Sequence, residues 1–349
     1  MPIIPNTLER LVFVTLNQAP TPVLDIFGAV AFRTVLAAIN LGVFDALHAG
    51  PCTASELTMR IAIDARGAAV LLDTLQSLGY VRRKGTRYAN TRMTTKWLVR
   101  STPTNIIAGF AFWDTVLREL WTNLEESIRS GQPPTNLYAW VEHQPNVSRD
   151  FQAWMVAAAR IVTGEVTRKV KLPASARRLL DVGGGHALHS IAFCRRHPQL
   201  AATVFDSPMA LQAARATIAA YQMEHRITLQ EGDFLHEALP SSYDVVLLFN
   251  IVHGFAEEQN RALLQKAARA LNAGGKVVIG EQVAGNSPGP TAHALAQMLG
   301  LNYFHVLGGQ IYSFEAIAGW LADTGFTQVQ RMNVLRAPGN NLIIATKER

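Results

Sequence analysis

Hydrophobic and polar positions alternate in a regular way over the second half of the chain. Short apolar runs occur at Leu179–Val182, Ala202–Phe205, Ile227–Gln230, Asp244–Phe249 and Lys276–Gly280. Amphipathic stretches separate most of them, at His186–His197, Pro208–Glu224 and Glu257–Leu271. Strands that alternate with helices predict a doubly wound α/β sheet. Two further strands, Phe326–Val334 and Asn341–Thr346, flank a turn too short for a crossover helix, so we expect an antiparallel last strand.

The first hundred residues have a different pattern. Apolar residues recur at helical spacing over Phe27–Leu47, and Thr53 with Glu56 forms a capping-box pattern that opens a second helix. Asp64 caps a third helix through Leu78, and a hairpin follows over residues 80–88. This order predicts a mostly helical winged-helix domain over residues 1–103. Its third helix offers one Arg and one Asp, which favours packing or dimerisation over reading a DNA groove.

Residues 104–170 are predicted to be a helical connector that is broken at Gly131–Pro134 and is rich in large apolar side chains. Most of them suit a core, but a few could line a pocket for an aromatic guest. The candidates are Phe110, Trp113, Phe151, Trp154 and Met155. Residues 171–349 then form the third predicted region, the α/β domain.

Composition narrows the class of protein. The 349 residues are 49% hydrophobic and 17% charged, with a formal net charge of +6, which permits anionic partners without requiring them. The two cysteines lie far apart, and residues 1–15 lack a basic segment before an apolar one, so we expect a cytoplasmic protein without a signal peptide. Phe27–Leu47 contains Arg33, Asn40 and Asp45, which argues against a membrane partner.

The chemistry is predicted at the carboxyl ends of the strands. Asp181-Val182-Gly183-Gly184-Gly185 is a strand end followed by a glycine turn, where the backbone can approach a ligand closely. The next strand ends in Asp206-Ser207, a pattern typical of ribose binding. Asp233 and Phe234 could hold an adenine, and the fourth tip carries Asn250 and His253. Together these tips predict an adenosine site.

The glycine turn also indicates which adenosine cofactor is bound. A dinucleotide fingerprint requires G-x-G-x-x-G, but position 188 is Leu. Asp181 would repel a pyrophosphate and favour a cationic ligand. An ammonium at the first loop, a ribose on Asp206 and an adenine on Asp233 describe S-adenosylmethionine.

With these motifs the chain resembles the class I S-adenosylmethionine-dependent small-molecule O-methyltransferases of plants and bacteria. The resemblance implies a class I methyltransferase Rossmann-like sheet, a homodimer formed through the N-terminal domain, and a small-molecule acceptor. It assigns His253 as general base and Glu281, at the tip of the fifth strand, as the carboxylate that orients it. The acceptor would also contact residues near Met298, Asn302 and Tyr303.

Two departures from the family pattern keep alternatives open. Gly254 and Phe255 follow the base where Asp and Trp are usual, and residues 308–312 supply no second carboxylate, although Tyr312 could substitute for it. We therefore retain N- or C-methylation and a cofactor-assisted rearrangement, decarboxylation or hydroxylation as alternatives. A DNA-binding regulator is a third, less favoured hypothesis, and nucleic acid is not an expected partner. We expect no metal, since His293 and His305 have no ligand cluster nearby in sequence.

Overall fold

The computed structural model describes residues 6–348 apart from positions 19, 286 and 288. Residues 1–5, which belong to the stretch used in the signal-peptide argument, lie outside this part. The chain divides into two compact units, Met1–Ala111 and Phe112–Arg349, each with its own hydrophobic core. The three-part division at residues 103 and 170 stays a prediction.

The N-terminal unit is mostly helical, as predicted. Its elements are α1 (Thr7–Arg10), α2 (Val23–Asn40), α3 (Val43–His48), α4 (Ala54–Ile61), α5 (Ala65–Ser77), β1 (Val81–Lys84), β2 (Arg87–Asn90) and α6 (Arg92–Leu98). Glu56 N donates to Thr53 Oγ1 at 3.2 Å while Thr53 N donates to the Glu56 carboxylate at 2.9 Å, so the capping box forms. The stretch predicted as one helix over Phe27–Leu47 is two helices, because Gly42 adopts φ +76° and reverses the backbone between them.

Helix α2 leaves many of its apolar side chains exposed. Val35, Leu36 and Ile39 are buried in the core of the N-terminal unit, whereas Ile26 and Val30 are more than half exposed. By length and composition this helix could cross a membrane, and 22% of it is buried within the chain. The absence of a membrane partner and the cytoplasmic location therefore stay predictions.

The C-terminal unit alternates helices and strands. Its helices are α7 (Ile107–Glu119), which begins before the boundary, α8 (Leu124–Ser130), α9 (Leu137–Glu142), α10 (Pro145–Lys169), α11 (Leu188–Arg196), α12 (Pro208–Ala220), α13 (Glu257–Ala270), α14 (Pro290–Leu307) and α15 (Phe314–Asp323). Its strands are β3 (Arg178–Val182), β4 (Ala201–Asp206), β5 (Ile227–Glu231), β6 (Tyr243–Phe249), β7 (Leu271–Gln282), β8 (Phe326–Asn333) and β9 (Asn340–Lys347).

The strands form one seven-stranded sheet in the order β5-β4-β3-β6-β7-β9-β8. All neighbouring pairs from β5 to β7 are parallel, and β9 is antiparallel to both β7 and β8. The predicted antiparallel last strand is therefore confirmed. Apolar side chains of successive strand residues alternate between two core clusters, with Leu179 in one and Leu180 in the other. The parallel register brings the carboxyl ends of β3, β4, β5 and β6 to one edge of the sheet.

The glycine turn after β3 is two residues longer than its sequence pattern predicts. Gly183 has φ +65°, and its amide donates to Phe205 O at 2.8 Å. Ala187 has φ +59°, so the following helix begins at Leu188 rather than at His186. The turn thus spans five residues between the strand and the helix.

Candidate active site

The glycine turn passes directly over the carboxyl group of Asp181. A Cβ atom added to Gly184 would lie 2.6 Å from Asp181 Cγ, so only glycine fits there without a rearrangement. Asp181 is 1% exposed, and its Oδ2 accepts from Ser190 Oγ at 2.7 Å. Burial raises its pKa to about 7, against the lowering effect of Ser190 and with a further rise from the charge of Asp206.

Asp206 connects the tip of β4 to the glycine turn. One carboxylate oxygen accepts from the amide of Gly185 at 2.9 Å, and the other accepts from the amide of Ser207 at 2.7 Å. Ser207 also caps α12, since its hydroxyl accepts from Ala210 N. Burial raises the pKa of Asp206, and the two amide donors counteract the rise. The carboxylate is thereby oriented beside the turn, as a ribose-binding group must be.

Asp233 lies at the tip of β5 in a more exposed position. Its carboxylate accepts from His236 Nδ1 at 2.6 Å and from Leu235 N at 2.8 Å. The hydrogen bond from His236 is the largest cause that lowers the pKa of Asp233. Phe234 follows, and its ring meets that of Phe255 edge to face at 5.8 Å. An acidic group and an aromatic ring are therefore adjacent where the sequence predicts the adenine.

These tips fit an adenosine cofactor that carries an ammonium group. The turn presents a backbone cradle that side chains would fill, because a Cβ at Gly183 would lie 2.3 Å from Ile251 Cδ1. The buried carboxylate of Asp181 and the half-buried carboxylate of Asp206 adjoin that cradle, which disfavours a phosphate and favours a cation. We expect Asp181 to attract the ammonium, Asp206 to bind the ribose, and Asp233 with Phe234 to bind the adenine.

The candidate base lies on a one-turn 3₁₀ helix, Val252–Gly254, that follows β6. The chain enters it through Asn250, whose φ is +55°. His253 Nδ1 lies 2.7 Å from Glu281 Oε2, and the other oxygen of Glu281 accepts from Val252 N at 2.8 Å. Glu281 sits on β7, and both side chains are buried. The pair predicted from the family resemblance is thus in hydrogen-bond contact.

An aromatic cluster lies beside this turn. It is formed by α7, α9, α10, α14 and the 3₁₀ turn Trp121–Asn123. Its members include Phe112, Trp113, Trp121, Trp140, Phe151, Trp154 and Leu307. A Cβ at Gly254 would lie 3.7 Å from Leu307 Cδ1, which places the cluster against the turn. On α14, the ring of Tyr303 stacks on the imidazole of His253, with centroids 3.8 Å apart and planes inclined by 15°.

Comparison with known proteins decides the family. A model of the O-methyltransferase domain matches residues 121–327, and a model of the O-methyltransferase dimerisation domain matches residues 25–100. The chain belongs to the S-adenosylmethionine-dependent O-methyltransferase family. It is 32% identical to 3-hydroxy-5-methyl-1-naphthoate 3-O-methyltransferase of Streptomyces sahachiroi over 90% of each chain. It is 27% identical to L-tyrosine C(3)-methyltransferase of Streptomyces lavendulae over 92% of this chain and 91% of that one.

A solved structure shows the same fold. Human N-acetylserotonin methyltransferase in complex with S-adenosylmethionine superposes with a TM-score of 0.82 at 23% identity, over all of both chains. For the present chain, the cofactor is S-adenosylmethionine. Its predicted family, fold class and cofactor are confirmed.

The structure separates the predicted acceptor-binding residues of this methyltransferase into groups. Trp113, Phe151 and Trp154 belong to the aromatic cluster, whereas Phe110 stacks on Phe32 within the N-terminal unit, with centroids 5.6 Å apart. On α14, Tyr303 contacts the base, Asn302 accepts from Trp121 Nε1 at 3.1 Å, and Met298 is exposed. Met155 is partly buried on α10. The roles of these residues in binding stay predictions.

Tyr138 on α9 is missing from the sequence prediction. Its side chain is 39% exposed, yet burial raises the pKa of its phenol, and the charges of Asp206 and Glu281 raise it further. Burial and the charge of Glu281 raise the pKa of Tyr303 as well. Both phenols therefore stay protonated at neutral pH, and no spacing in the sequence connects Tyr138 to the site.

The loop after α14 supplies no carboxylate to the base. Gly309 packs so closely that an added Cβ would lie 1.9 Å from His253 O. Tyr312 donates through its hydroxyl to Phe255 O at 2.7 Å. Tyr312 thus contacts the backbone that carries the base rather than the imidazole itself. His305, considered above as a metal ligand, has its two ring nitrogens 2.7 Å from Ser127 Oγ and 3.0 Å from Leu120 O.

Proposed function

We propose that this methyltransferase transfers a methyl group from S-adenosylmethionine to a hydroxyl group of a small aromatic or polyketide-like metabolite, with His253 as general base. The observation that carries this proposal is the His253–Glu281 pair, which lies between the predicted cofactor edge and the aromatic cluster. The relative from Streptomyces sahachiroi, which is named for O-methylation of a naphthoate, supports an aromatic acceptor.

The hydrogen bonds around Glu281 determine which ring nitrogen of His253 carries the proton. A carboxylate accepts but does not donate, so the proton between the pair belongs on His253 Nδ1. The other ring nitrogen, Nε2, then carries a free lone pair that can accept a proton from the acceptor hydroxyl. Glu281 also stabilises the imidazolium that results, because its negative charge is only 2.7 Å away.

The remaining residues align the acceptor. S-adenosylmethionine, when bound, supplies an electrophilic methyl group, so the protein mainly has to position the nucleophile and remove its proton. The stacked ring of Tyr303 covers one face of the imidazole and restricts its rotation. The aromatic cluster provides apolar walls, and the protonated phenols of Tyr138 and Tyr303 can donate to an oxygen on the acceptor.

The test is methyl transfer to a panel of phenols, naphthols and hydroxylated polyketides. We expect a product heavier by one methylene, with the methyl on oxygen by NMR. His253→Ala should lower kcat about 10²–10⁴-fold, whereas His225→Ala, an exposed histidine just before β5, should leave it unchanged. An undiminished rate in His253→Ala would contradict the base assignment. A methyl on nitrogen or carbon, or a product that has gained no carbon, would replace O-methylation by one of the alternatives.

We also propose that the protein is a homodimer formed through its N-terminal unit. The dimerisation-domain match covers residues 25–100, and Ile26, Phe27 and Val30 on α2 expose apolar surface that water disfavours. Light scattering should give twice the mass of the chain, and Ile26→Glu should shift it toward the monomer. A monomeric wild-type protein would contradict this assignment.

A further inference from the structure

The turn that carries His253 has weak hydrogen bonds of its own. Gly254 N donates to Ile251 O at 3.0 Å, but the next bond, from Phe255 N to Val252 O, is 3.5 Å long. A single 3₁₀ turn is intrinsically unstable because of its poor hydrogen-bond geometry. The position of the base therefore depends on side chains that reach the turn from neighbouring elements.

Asn260 on α13 reaches both ends of this turn with one amide group. Its Nδ2 donates to Val252 O at 2.9 Å and to Phe255 O at 3.0 Å. The residue is 1% exposed, and its Oδ1 has no hydrogen-bond partner among the described residues. A buried amide with an unpaired oxygen is destabilising compared with an apolar side chain of the same size. Packing alone therefore does not explain an asparagine at this position.

Tyr312 donates to the same carbonyl as Asn260. Its hydroxyl donates to Phe255 O at 2.7 Å, and its buried ring packs edge to face on Trp320, with centroids 4.7 Å apart. Trp320 in turn donates to the carboxylate of Glu257, the first residue of α13. Asn260 on α13 and Tyr312 in the loop between α14 and α15 thus donate to one backbone oxygen.

Two further contacts complete the enclosure of the turn. Glu281 accepts from Val252 N on the side of the sheet. Gly309 places its Cα against His253 O, at a distance that excludes any side chain. Protein groups therefore contact both polar backbone atoms of Val252 and the carbonyls of His253 and Phe255.

We propose that Asn260 and Tyr312 are positioning residues that hold the His253 turn in the geometry needed for proton transfer. They fix the position of His253 in place of a second carboxylate, which residues 308–312 do not supply. The inference rests on the proposed function, since it assumes that His253 is the base. Neither residue touches the acceptor or the cofactor in this account, so their removal should affect the rate and spare binding.

The kinetic test is a double-mutant cycle with the base. Asn260→Ala should lower kcat about 10–100-fold, because a small misplacement of a catalytic group has effects of this size. KM for the acceptor and Kd for S-adenosylmethionine should change less than about threefold. In a His253→Ala background the same substitution should lower the residual rate less than about twofold, since there is no base left to position. An equal loss in both backgrounds, or a loss in KM alone, would overturn the proposal.

Matched variants separate positioning from general stability. Asn90 is also buried, donates to one backbone carbonyl and has an unpaired Oδ1, but it lies in the N-terminal unit. Asn90→Ala should destabilise the protein to a similar degree and leave kcat unchanged. Tyr312→Phe keeps the ring on Trp320 and removes only the donor, so it should fold and lower kcat about 3–10-fold.

Hydrogen exchange distinguishes failure of this inference from failure of the proposed function. In the wild-type protein with S-adenosylmethionine bound, the amides of residues 252–255 should be protected, and Asn260→Ala should raise their exchange at least tenfold. Should His253→Ala retain the full rate, the base assignment fails, while this exchange measurement still tests the turn. Unchanged exchange in both Asn260→Ala and Tyr312→Phe would overturn the positioning role.

Discussion

Asp181→Asn tests whether ionisation of the buried carboxyl group under the glycine turn lowers the stability of the folded protein. Its pKa is raised to about 7 from an ordinary value near 3.9, a difference of about 3 units. At about 1.36 kcal/mol per unit, this amounts to about 4 kcal/mol. A raised pKa means that the folded state binds the proton more tightly than the unfolded chain does. The contribution of Asp181 to stability is therefore complete below about pH 4 and is lost as the pH rises through about 7.

Asparagine has the same shape and can still accept from Ser190, but it does not ionise. Asp181→Asn should therefore match the wild type in stability near pH 4 and exceed it by about 4 kcal/mol above pH 8. The measurement is urea unfolding of both proteins at pH 4 and pH 8 and equal protomer concentration, followed by tryptophan fluorescence. A stability difference that does not grow with pH would contradict a raised pKa of Asp181 in the folded protein.

The same carboxyl group should make cofactor binding depend on pH. A cationic ammonium prefers the ionised form, and at pH 6 only about one molecule in ten is ionised if the pKa is about 7. Kd for S-adenosylmethionine should then be about tenfold weaker at pH 6 than at pH 8. Asp181→Asn should bind weakly at both values. Titration calorimetry that shows the same pH dependence in both proteins would contradict the contact with the ammonium.

Three further substitutions probe other groups. Glu281→Gln should lower kcat about 10³-fold, because an amide donates to His253 Nδ1 and forces the proton onto Nε2; a loss below tenfold would contradict the assigned tautomer. Desolvation would raise the pKa of Glu165, but Lys169 and two backbone amides outweigh it and hold the pKa at about 2. The stability that ionised Glu165 contributes is present above about pH 4 and is lost as the pH falls through 2. In urea unfolding, Glu165→Gln should lower the free energy of unfolding by about 2 kcal/mol at pH 7, after allowance for screening, and by less at pH 3. Gly309→Ala should lower kcat at least tenfold with unchanged cofactor affinity by calorimetry, because its Cβ displaces His253 O; an unchanged kcat would show that the turn tolerates displacement.

Local patterns account for the elements of the sheet and for the cofactor edge. Short apolar runs beside Asp181, Asp206 and Asp233 indicate where the strands end, and the parallel pairing then brings those ends together. Side-chain contacts between distant segments are not needed for this prediction, because the carboxyl ends of parallel strands meet at one edge of any such sheet. The short turn at Pro338-Gly339 likewise determines the antiparallel last strand, since it leaves no room for a crossover.

Other features depend on contacts between elements that are far apart in sequence. Tyr303 on α14 and Asn260 on α13 contact the His253 turn from two helices, and Tyr138 on α9 lies where the charges of Asp206 and Glu281 act on its phenol. Periodicity identifies the buried face of a helix but not which partner that face meets. For the same reason, Phe110 matches the other aromatic residues in pattern and yet packs on Phe32 in the N-terminal unit. The sequence predicted the fold and the cofactor, which are confirmed, and it named His253 and Glu281 as the base and its carboxylate, roles that stay proposals. Only the tertiary structure shows which distant side chains contact the His253 turn, because those contacts join helices far apart in sequence.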